Sequence, residues 1–397
     1  HMTTHTPDPE QLAAYWMPFT ANRDFKAAPR LMQSAAGMHY TTVEGRRILD
    51  GTSGLWCCPL GHAHPRIVAA VQQMVATLDY APAFQIGHPA AFQLAQELLV
   101  FAGGHFSQTF FTNSGSEAAD TALKIALAWH HVRGDTRRVR LVGRERAYHG
   151  VGFGGMSVGG IPANRQAFGA LLPAVDHLPH THAPEHNAFT RGQPRWGAHL
   201  ADALQALVDT HGGESIAAVI VEPVAGSTGL LVPPAGYLQK LRSICDRHGI
   251  LLIFDEVITG FGRTGEAFAM DRFGVVPDML CVAKGLTNGT IPMGGVLVRP
   301  AIHEAFMQGG PGVELFHGYT YSGHPVACAA GLAALAAFRE EGVLENARSL
   351  QACWEDAVHA LRDLPHVVDI RNIGIAAAIE LAPLPGKPGA RAFDVFK

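Results

Sequence analysis

One stretch, Ile250–Asn288, decides how the fold is interpreted: ILLIFDEVITGFGRTGEAFAMDRFGVVPDMLCVAKGLTN. An apolar run ends at Asp255, the glycine-rich segment Gly260–Gly265 follows, and a second apolar segment leads to Lys284. Short apolar runs without polar alternation are typical of strands buried on both faces of a sheet. The stretch therefore predicts two inner strands, one ending at a carboxylate and the next at a lysine.

Other parts of the chain alternate strands and helices in the same way. The apolar segment Ile216–Val221 ends at Glu222, and another short apolar segment leads to Ser114. Ser114 and Glu117 have the spacing of a helix capping box, which predicts a helix from this point to about Val132. This alternation predicts an α/β fold with a large, mostly parallel sheet covered by helices on both sides.

Composition excludes several functional classes. The chain has 397 residues, 48% hydrophobic and 16% charged, with a net charge of −4. Nucleic-acid binding would need a clustered basic excess, and no apolar run reaches the roughly 18 residues of a membrane helix. His1–His5 lacks the basic start and apolar core of a secretory signal. The 6 cysteines show no paired CxxC spacing, so we expect a reduced, cytoplasmic protein. The 22 histidines lack the context of a metal site, and none is expected.

Four side chains near the predicted strand ends have the chemistry needed to hold pyridoxal 5′-phosphate (PLP). Burial lowers the pKa of a lysine such as Lys284 and makes its amine a nucleophile. A carboxylate such as Asp255 keeps a pyridine nitrogen protonated, so that the ring is an electron sink. The helix start at Ser116 suits a phosphate, and Tyr148 can stack on the ring. Each feature alone has an ordinary alternative, a capped helix without ligand or a solvated lysine.

The segment Gly260–Gly265 also fits the dinucleotide motif GxGxxG, with Asp278 near the place of a ribose-binding acid. Residues 255–259 separate it from the strand, and Gly274 and Pro277 interrupt the helix that should follow. A nicotinamide-dependent dehydrogenase is therefore the weaker alternative.

A second motif, Gly155–Gly159, fits the GxSxG nucleophile elbow. That motif needs a strong strand before it, whereas Gly152-Phe153-Gly154 precedes it here. We therefore expect a flexible glycine-rich loop, and we also expect irregular structure over residues 161–199.

Several motifs occur in one order along almost the whole chain. They are NSGSEA at 113–118, YHG at 148–150, EP at 222–223, LIFDEVITGFGRTG at 252–265, AKG at 283–285 and HGYTYS at 317–322. Together they resemble the class III, fold type I, PLP-dependent aminotransferases. The segments Trp16–Arg23 and Asp176–His180 look like those of the ω-amino acid:pyruvate (β-alanine:pyruvate) branch.

The resemblance implies a catalytic pair. Lys284 would form the Schiff base with the cofactor, and Asp255 would pair with the pyridine nitrogen. The other cofactor-binding residues that it implies are Ser114, Gly115, Ser116, Tyr148, His149, Glu222, Val257 and Thr320. Among these, Thr320 would reach the phosphate of a neighbouring subunit, which implies a homodimer with shared active sites, or a tetramer built from such dimers. The substrate pocket would be lined by Trp56, Phe84 and Tyr148.

The resemblance also implies a division into domains. Residues 1–60 would contribute to a small domain, residues 61–325 would form the large PLP-binding domain, and residues 326–397 would form an incomplete α+β small domain. Family members continue past the position of Lys397 with a segment that usually carries the arginine for the substrate carboxylate. No residue of this chain is assigned that role.

The reaction implied by the resemblance is transfer of an amino group from an ω-amino acid or amine, such as β-alanine, to pyruvate, giving alanine. Two alternatives stay open within the family. One is another class III enzyme, an aminomutase or a 2-oxoglutarate-dependent transaminase. The other is an inactive dimer that binds PLP without turnover.

Overall fold

The computed structural model of the chain describes residues 6–396, so the signal-sequence prediction on His1–His5 lies outside the described part. The strands are β1 Met32–Ala36, β2 His39–Thr42, β3 Arg47–Leu49, β4 Gln108–Thr112, β5 Arg140–Arg144, β6 Val175–Leu178, β7 Ile216–Val221, β8 Leu251–Asp255, β9 Met279–Val282, β10 Gly294–Val298, β11 Val367–Ile373 and β12 Ala376–Leu381. The helices are α1 Pro9–Ala14, α2 Asn22–Ala27, α3 Ser53–Trp56, α4 Pro65–Thr77, α5 Pro89–Phe101, α6 Gly115–Val132, α7 Phe153–Val158, α8 Pro184–Asn187, α9 Asp202–His211, α10 Tyr237–His248, α11 Ala269–Phe273, α12 Pro300–Met307, α13 Pro325–Glu340, α14 Val343–His359 and α15 Ala390–Phe396.

A sheet of seven strands forms the centre of the fold, in the order β4-β10-β9-β8-β7-β5-β6. The pairs β5–β6, β5–β7, β7–β8 and β8–β9 are parallel. Strand β10 is antiparallel to both β9 and β4. Because β10 alone is reversed, the carboxyl ends of the other strands meet at one edge of the sheet.

The inner strands are buried on both faces, which explains their uninterrupted apolar sequence. In β8, Leu252 and Phe254 belong to one apolar cluster, whereas Leu251 and Ile253 belong to the other. This alternation follows from the two-residue period of a strand. Helix α6 packs on one face with its alanine-rich side, and α5, α10 and α13 contribute to the core on the other face. The prediction of a mostly parallel sheet covered by helices is confirmed.

Two local predictions were wrong. The segment 161–199 is not wholly irregular, because it contributes β6, which pairs with β5 at the edge of the sheet. The glycine-rich segment after Gly150 is not a flexible loop, because Phe153–Val158 forms helix α7 with four buried residues.

Two smaller sheets lie outside the central one. Strands β1, β2 and β3 form an antiparallel meander, and β11 and β12 form a hairpin that follows the long helices α13 and α14. The domain boundaries at residues 60 and 325 stay a prediction. Within the described residues, no helix is long and apolar enough to cross a membrane.

Candidate active site

The carboxyl ends of five strands bring the predicted site residues together. Strand β4 leads to Ser114, β5 leads to Tyr148, and β7 leads to Glu222. The last residue of β8 is Asp255, and Lys284 stands just beyond β9. Ligands of open α/β sheets bind at this edge, and the strand order therefore explains why residues far apart in the sequence share one site.

Helix α6 begins at the site with the predicted cap. The Ser114 side chain accepts a hydrogen bond from the backbone N–H of Glu117 at 3.1 Å. The Glu117 carboxylate accepts from the N–H of Asn113 at 2.8 Å, one residue before the position expected for a capping box. The cap aims the first turn of the helix, with Gly115 and Ser116, at the cavity described below.

The segment Tyr148–Gly150 is held by two side chains. The N–H of Tyr148 donates to Glu222 Oε1 at 2.9 Å. The Ser116 hydroxyl accepts from the N–H of Val151 at 3.1 Å. Gly150 has φ 85°, and a Cβ there would collide with Ser116, so a glycine is needed where this segment crosses α6.

Asp255 is almost fully buried and is oriented by two donors. His149 Nδ1 donates to Asp255 Oδ2 at 2.8 Å, and the N–H of Val257 donates to Oδ1 at 3.1 Å. His149 is also buried, and its Nε2 has no partner within residues 6–396. The carboxylate is therefore fixed in orientation while it lines the cavity.

Glu222 is a second buried carboxyl beside this pair. Burial raises its pKa from the ordinary value to about 7, although the His149 imidazole opposes that shift. Its second oxygen accepts from the N–H of Gly226 at 3.2 Å. Because two backbone donors fix it, Glu222 links the Tyr148 segment to the end of β7.

Lys284 has an unusual backbone and a perturbed amine. Its φ is 45°, a left-handed value that is uncommon for a residue with a side chain and often marks functional sites. Burial lowers the pKa of the amine, although Cys57 and the Asp255 carboxylate oppose that shift. The Nζ atom donates to the backbone carbonyl of Leu55 at 2.9 Å.

A cavity of about 140 Å³ connects these residues. Its lining consists of Ser114, Gly115, Ser116, Tyr148, Gly150, Glu222, Asp255, Val257, Ile258 and Lys284. The structure therefore brings together most of the residues named from the sequence. Sequence reasoning did not name Gly150 and Ile258 as lining residues, although both lie within motifs that it had quoted.

Four residues named from the sequence lie outside the cavity lining. His149 stands behind Asp255. Trp56 packs under the guanidinium of Arg263, with 5.8 Å between the Arg263 Cζ atom and the ring centroid. Phe84 is 59% exposed. Thr320 is exposed, and its carbonyl accepts from the Tyr80 hydroxyl at 2.9 Å.

The two competing motifs lack the geometry of their proposed functions. Gly260–Gly265 lies in a turn-rich loop, with no helix beginning at the glycines. Ser157 is fully buried in α7, where its hydroxyl donates to the Phe153 carbonyl at 2.6 Å. Neither the dinucleotide motif nor the nucleophile elbow is therefore formed.

The residues that line the cavity fit a phosphorylated pyridine aldehyde. A Cβ added to Gly115 would come within 2.8 Å of a Val257 methyl group, so the glycine leaves room for this apolar side chain in the cavity lining. Asp255 supplies an oriented carboxylate, Lys284 supplies an amine of lowered pKa, and the start of α6 supplies backbone donors. These are the three groups that a pyridine nitrogen, an aldehyde and a phosphate require.

Comparisons with known proteins show the family of this chain. Residues 20–388 match the family described as aminotransferase class-III. An ω-aminotransferase of Caulobacter vibrioides is 59% identical over 97% of this chain and 88% of its own length. A β-alanine–pyruvate aminotransferase of Pseudomonas aeruginosa is 50% identical over 96% of this chain and 86% of its own length.

Solved structures give the same result. A PLP-bound amine transaminase from an uncultivated Pseudomonas species is 35% identical, with a TM-score of 0.87 over 94% of this chain and 86% of its own. An ω-transaminase of Pseudomonas jessenii in complex with PMP is 31% identical, with a TM-score of 0.88 over 94% of this chain and 83% of its own. The sequence match, the shared fold and the site at the sheet edge together show that this chain belongs to the class III aminotransferase family.

Proposed function

We propose that this protein is an ω-amino acid:pyruvate transaminase. It takes the amino group of an ω-amino acid or amine, such as β-alanine, and delivers it to pyruvate, which becomes alanine. The observation that carries the proposal is the cavity in which Lys284 and Asp255 lie beside the start of α6. The substrates follow from relatives at 48% to 50% identity that are named ω-amino acid–pyruvate and β-alanine–pyruvate aminotransferases.

The cofactor is pyridoxal 5′-phosphate. When bound, it supplies an electron sink that stabilises negative charge on the substrate carbon. The residues that would hold its phosphate are Gly115 and Ser116, and Tyr148 and Val257 would enclose its ring. Gly150 allows the Tyr148 segment to approach α6 closely enough to complete this enclosure.

Lys284 is the proposed proton carrier. Its lowered pKa raises the fraction of neutral amine near pH 7. The neutral amine can accept a proton from the substrate carbon, and it would then give that proton to the C4′ carbon of the cofactor. The Leu55 carbonyl, 2.9 Å from Nζ, offers the amine an acceptor when it is free. The same amine is the proposed attachment point for the cofactor.

Asp255 is the proposed partner of the ring nitrogen. His149 and the N–H of Val257 each bond one of its oxygens, so the carboxylate is held in one orientation. Glu222 supports this arrangement from the side by binding the N–H of Tyr148. Trp56 and Phe84 are proposed to border the substrate pocket.

The proposed assembly is a homodimer with shared active sites. Thr320 and Phe84 are exposed and lie outside the cavity of their own chain, as expected if they serve the site of a second copy. We also propose a cytoplasmic location, since all six cysteines are free thiols.

The test is the visible absorbance of the purified protein after incubation with PLP. We expect a band of protein-bound PLP that falls when β-alanine is added and returns when pyruvate follows. Lys284→Ala should bind PLP without this band and show no turnover. A wild-type band that β-alanine leaves unchanged would contradict the donor, and recovery with 2-oxoglutarate but not with pyruvate would assign a different acceptor within the family.

A further inference from the structure

The segment from Gly150 to Gly155 connects the site to helix α7. It directly follows Tyr148 and His149, so its path sets where both side chains lie. Its many glycines leave its conformation weakly determined by the sequence itself. Something outside the segment must therefore hold it in place.

Two side chains one turn apart on α6 hold this segment. Ser116 accepts from the N–H of Val151 at 3.1 Å. Asp120 accepts from the N–H of Gly155 at 2.6 Å, and the N–H of Gly154 points at the same carboxylate. Residues four apart lie on the same face of a helix, so a single edge of α6 holds both ends of the segment.

The fit between Asp120 and the segment is close. A Cβ added to Gly152 would overlap the Asp120 carboxylate, and one added to Gly154 would lie 2.9 Å from it. A Cβ on Gly155 would overlap the backbone carbonyl of His149. The start of α7 is thus pressed between Asp120 on one side and His149 on the other.

The Asp120 carboxylate forms no ion pair with a lysine or arginine of residues 6–396. Lys124 acts on it only electrostatically, from farther away. Burial raises the pKa of the Asp120 carboxyl, and the backbone donors and Lys124 oppose this shift. A half-buried carboxylate costs free energy unless its hydrogen bonds are satisfied, and here backbone N–H groups of the segment satisfy them.

We propose that Asp120 is a positioning residue of the active site: by holding Gly155 it fixes His149, and through His149 it fixes the carboxylate of Asp255. The contacts run from Asp120 to Gly155 at 2.6 Å, from Gly155 to the His149 backbone, and from His149 to Asp255 at 2.8 Å. Asp120 itself does not line the cavity. The proposal rests on the proposed function, because PLP is the ligand that this arrangement would serve.

The test compares Asp120→Ala, Asp120→Asn and the wild type in three measurements. These are the Kd for PLP of the apoprotein, the visible circular dichroism of bound PLP, and hydrogen exchange of residues 150–155 without PLP. Asparagine keeps an oxygen in place of Oδ1, whereas alanine removes the acceptor. Asp209→Ala is the matched control, since Asp209 is an exposed aspartate whose side chain, among residues 6–396, bonds only Gln205 on its own helix.

We expect Asp120→Ala to weaken PLP binding about tenfold, as for a lost hydrogen bond to a charged group, and to speed exchange in the segment. Asp120→Asn should keep the PLP affinity and the exchange rate of the segment close to those of the wild type, and Asp209→Ala should change neither quantity. A lower melting temperature with unchanged PLP affinity and dichroism would overturn the proposal, and so would an asparagine variant as defective as alanine. If the wild type itself bound no PLP, the proposed function would fail, while the exchange data would still test the hold on the segment.

Discussion

The two adjacent carboxylates at the end of β8, Asp255 and Glu256, face opposite sides of the sheet edge. Asp255 faces the cavity, whereas Glu256 points to the other side, as successive residues of a strand do. Glu256 is fully buried and accepts from the Thr259 hydroxyl at 2.7 Å and from the N–H groups of Ala269 and Met270 at 2.5 and 3.1 Å. It therefore ties the loop after β8 to the start of α11.

The buried Glu256 makes the stability of the fold depend on pH. Burial raises its pKa from the ordinary 4.5 to about 7. Between these values the folded state binds more protons than the unfolded state, so stability is highest at low pH and falls as pH rises through this window. The loss is at most about 1.4 kcal/mol per pH unit for one such group. Glu222, with a pKa also about 7, adds a loss of the same sign.

Glu256→Gln should remove one of these two contributions. We expect the fall in unfolding free energy between pH 5 and pH 8 to be smaller in the variant than in the wild type by about 2.5 kcal/mol. Denaturant unfolding at several pH values measures it. Absolute stability should drop, because the amide NH2 group faces a backbone donor. Parallel pH curves for variant and wild type would show that Glu256 is ionised throughout.

At the residue scale, the sequence predicts the side chains that we propose as reactive, but it does not predict the groups that hold them in place. Asp255 and Lys284 were predictable because Asp255 ends one apolar strand and Lys284 follows another. The Leu55 carbonyl that accepts from Lys284 was not, because a backbone oxygen carries no residue-type signal. The contacts of Glu256 were not predictable either, because the sequence Asp255-Glu256 alone does not show which of the two carboxylates faces the cavity.

At the scale of elements, the start of α6 and the loop after β8 meet at one contact. Gly115 is the first residue of the helix, and a Cβ there would lie 2.8 and 3.0 Å from the two methyl groups of Val257. Alanine is the better helix former by about 1 kcal/mol. The glycine is therefore explained by this contact and not by the helix.

Gly115→Ala should push Val257 into the cavity and weaken PLP binding about tenfold, as overpacking of a close contact does. The double variant Gly115→Ala/Val257→Ala should bind PLP about as tightly as Val257→Ala alone, because the smaller side chain frees the space. Calorimetric or fluorescence titration of the apoproteins measures the coupling between the two positions. Gly310→Ala is the control, since a Cβ there meets nothing within 4 Å. Additive effects of the two substitutions would contradict the contact.

Elements were predicted best where apolar residues continue and worst where glycine or polar residues interrupt them. Helix α6 was predicted from its cap and ends at Val132 as expected. Strand β6 was missed because it is a short edge strand of sequence VDHL with one fully buried residue. Helix α7 was mistaken for a loop because contacts with Asp120 and His149, and not its own glycines, hold it.

At the scale of the whole molecule, the question is whether Thr320 serves the active site of its own chain or the site of a second copy. Thr320 lies four residues after the exposed Phe316, and its carbonyl accepts a hydrogen bond from the Tyr80 hydroxyl. Thr320 does not line the cavity of its own chain. The mostly parallel character of the central sheet was predictable from its buried apolar strands. The proposed contribution of a second copy could not be derived from the residues, because no spacing within one chain encodes a contact between two chains.

Mixed dimers test whether Thr320 serves the partner's site. Lys284→Ala removes the reactive amine, and Thr320→Asp places a carboxylate where we propose the partner's PLP phosphate lies, so that like charges repel. Each homodimer should be inactive or nearly so. If Thr320 acts across the interface, a purified heterodimer of the two variants holds one intact site and should show about half of the wild-type activity.

The reciprocal pairing separates this from action within one chain. A heterodimer of wild type with the double variant Lys284→Ala/Thr320→Asp carries the same two substitutions. With Thr320 acting across the interface it has no intact site, because the only site with a lysine receives the altered Thr320. With Thr320 acting within its own chain, the wild-type subunit stays active and the first heterodimer is dead. Two tags on the subunits isolate each heterodimer, and activity with β-alanine and pyruvate then shows which pairing retains an intact site.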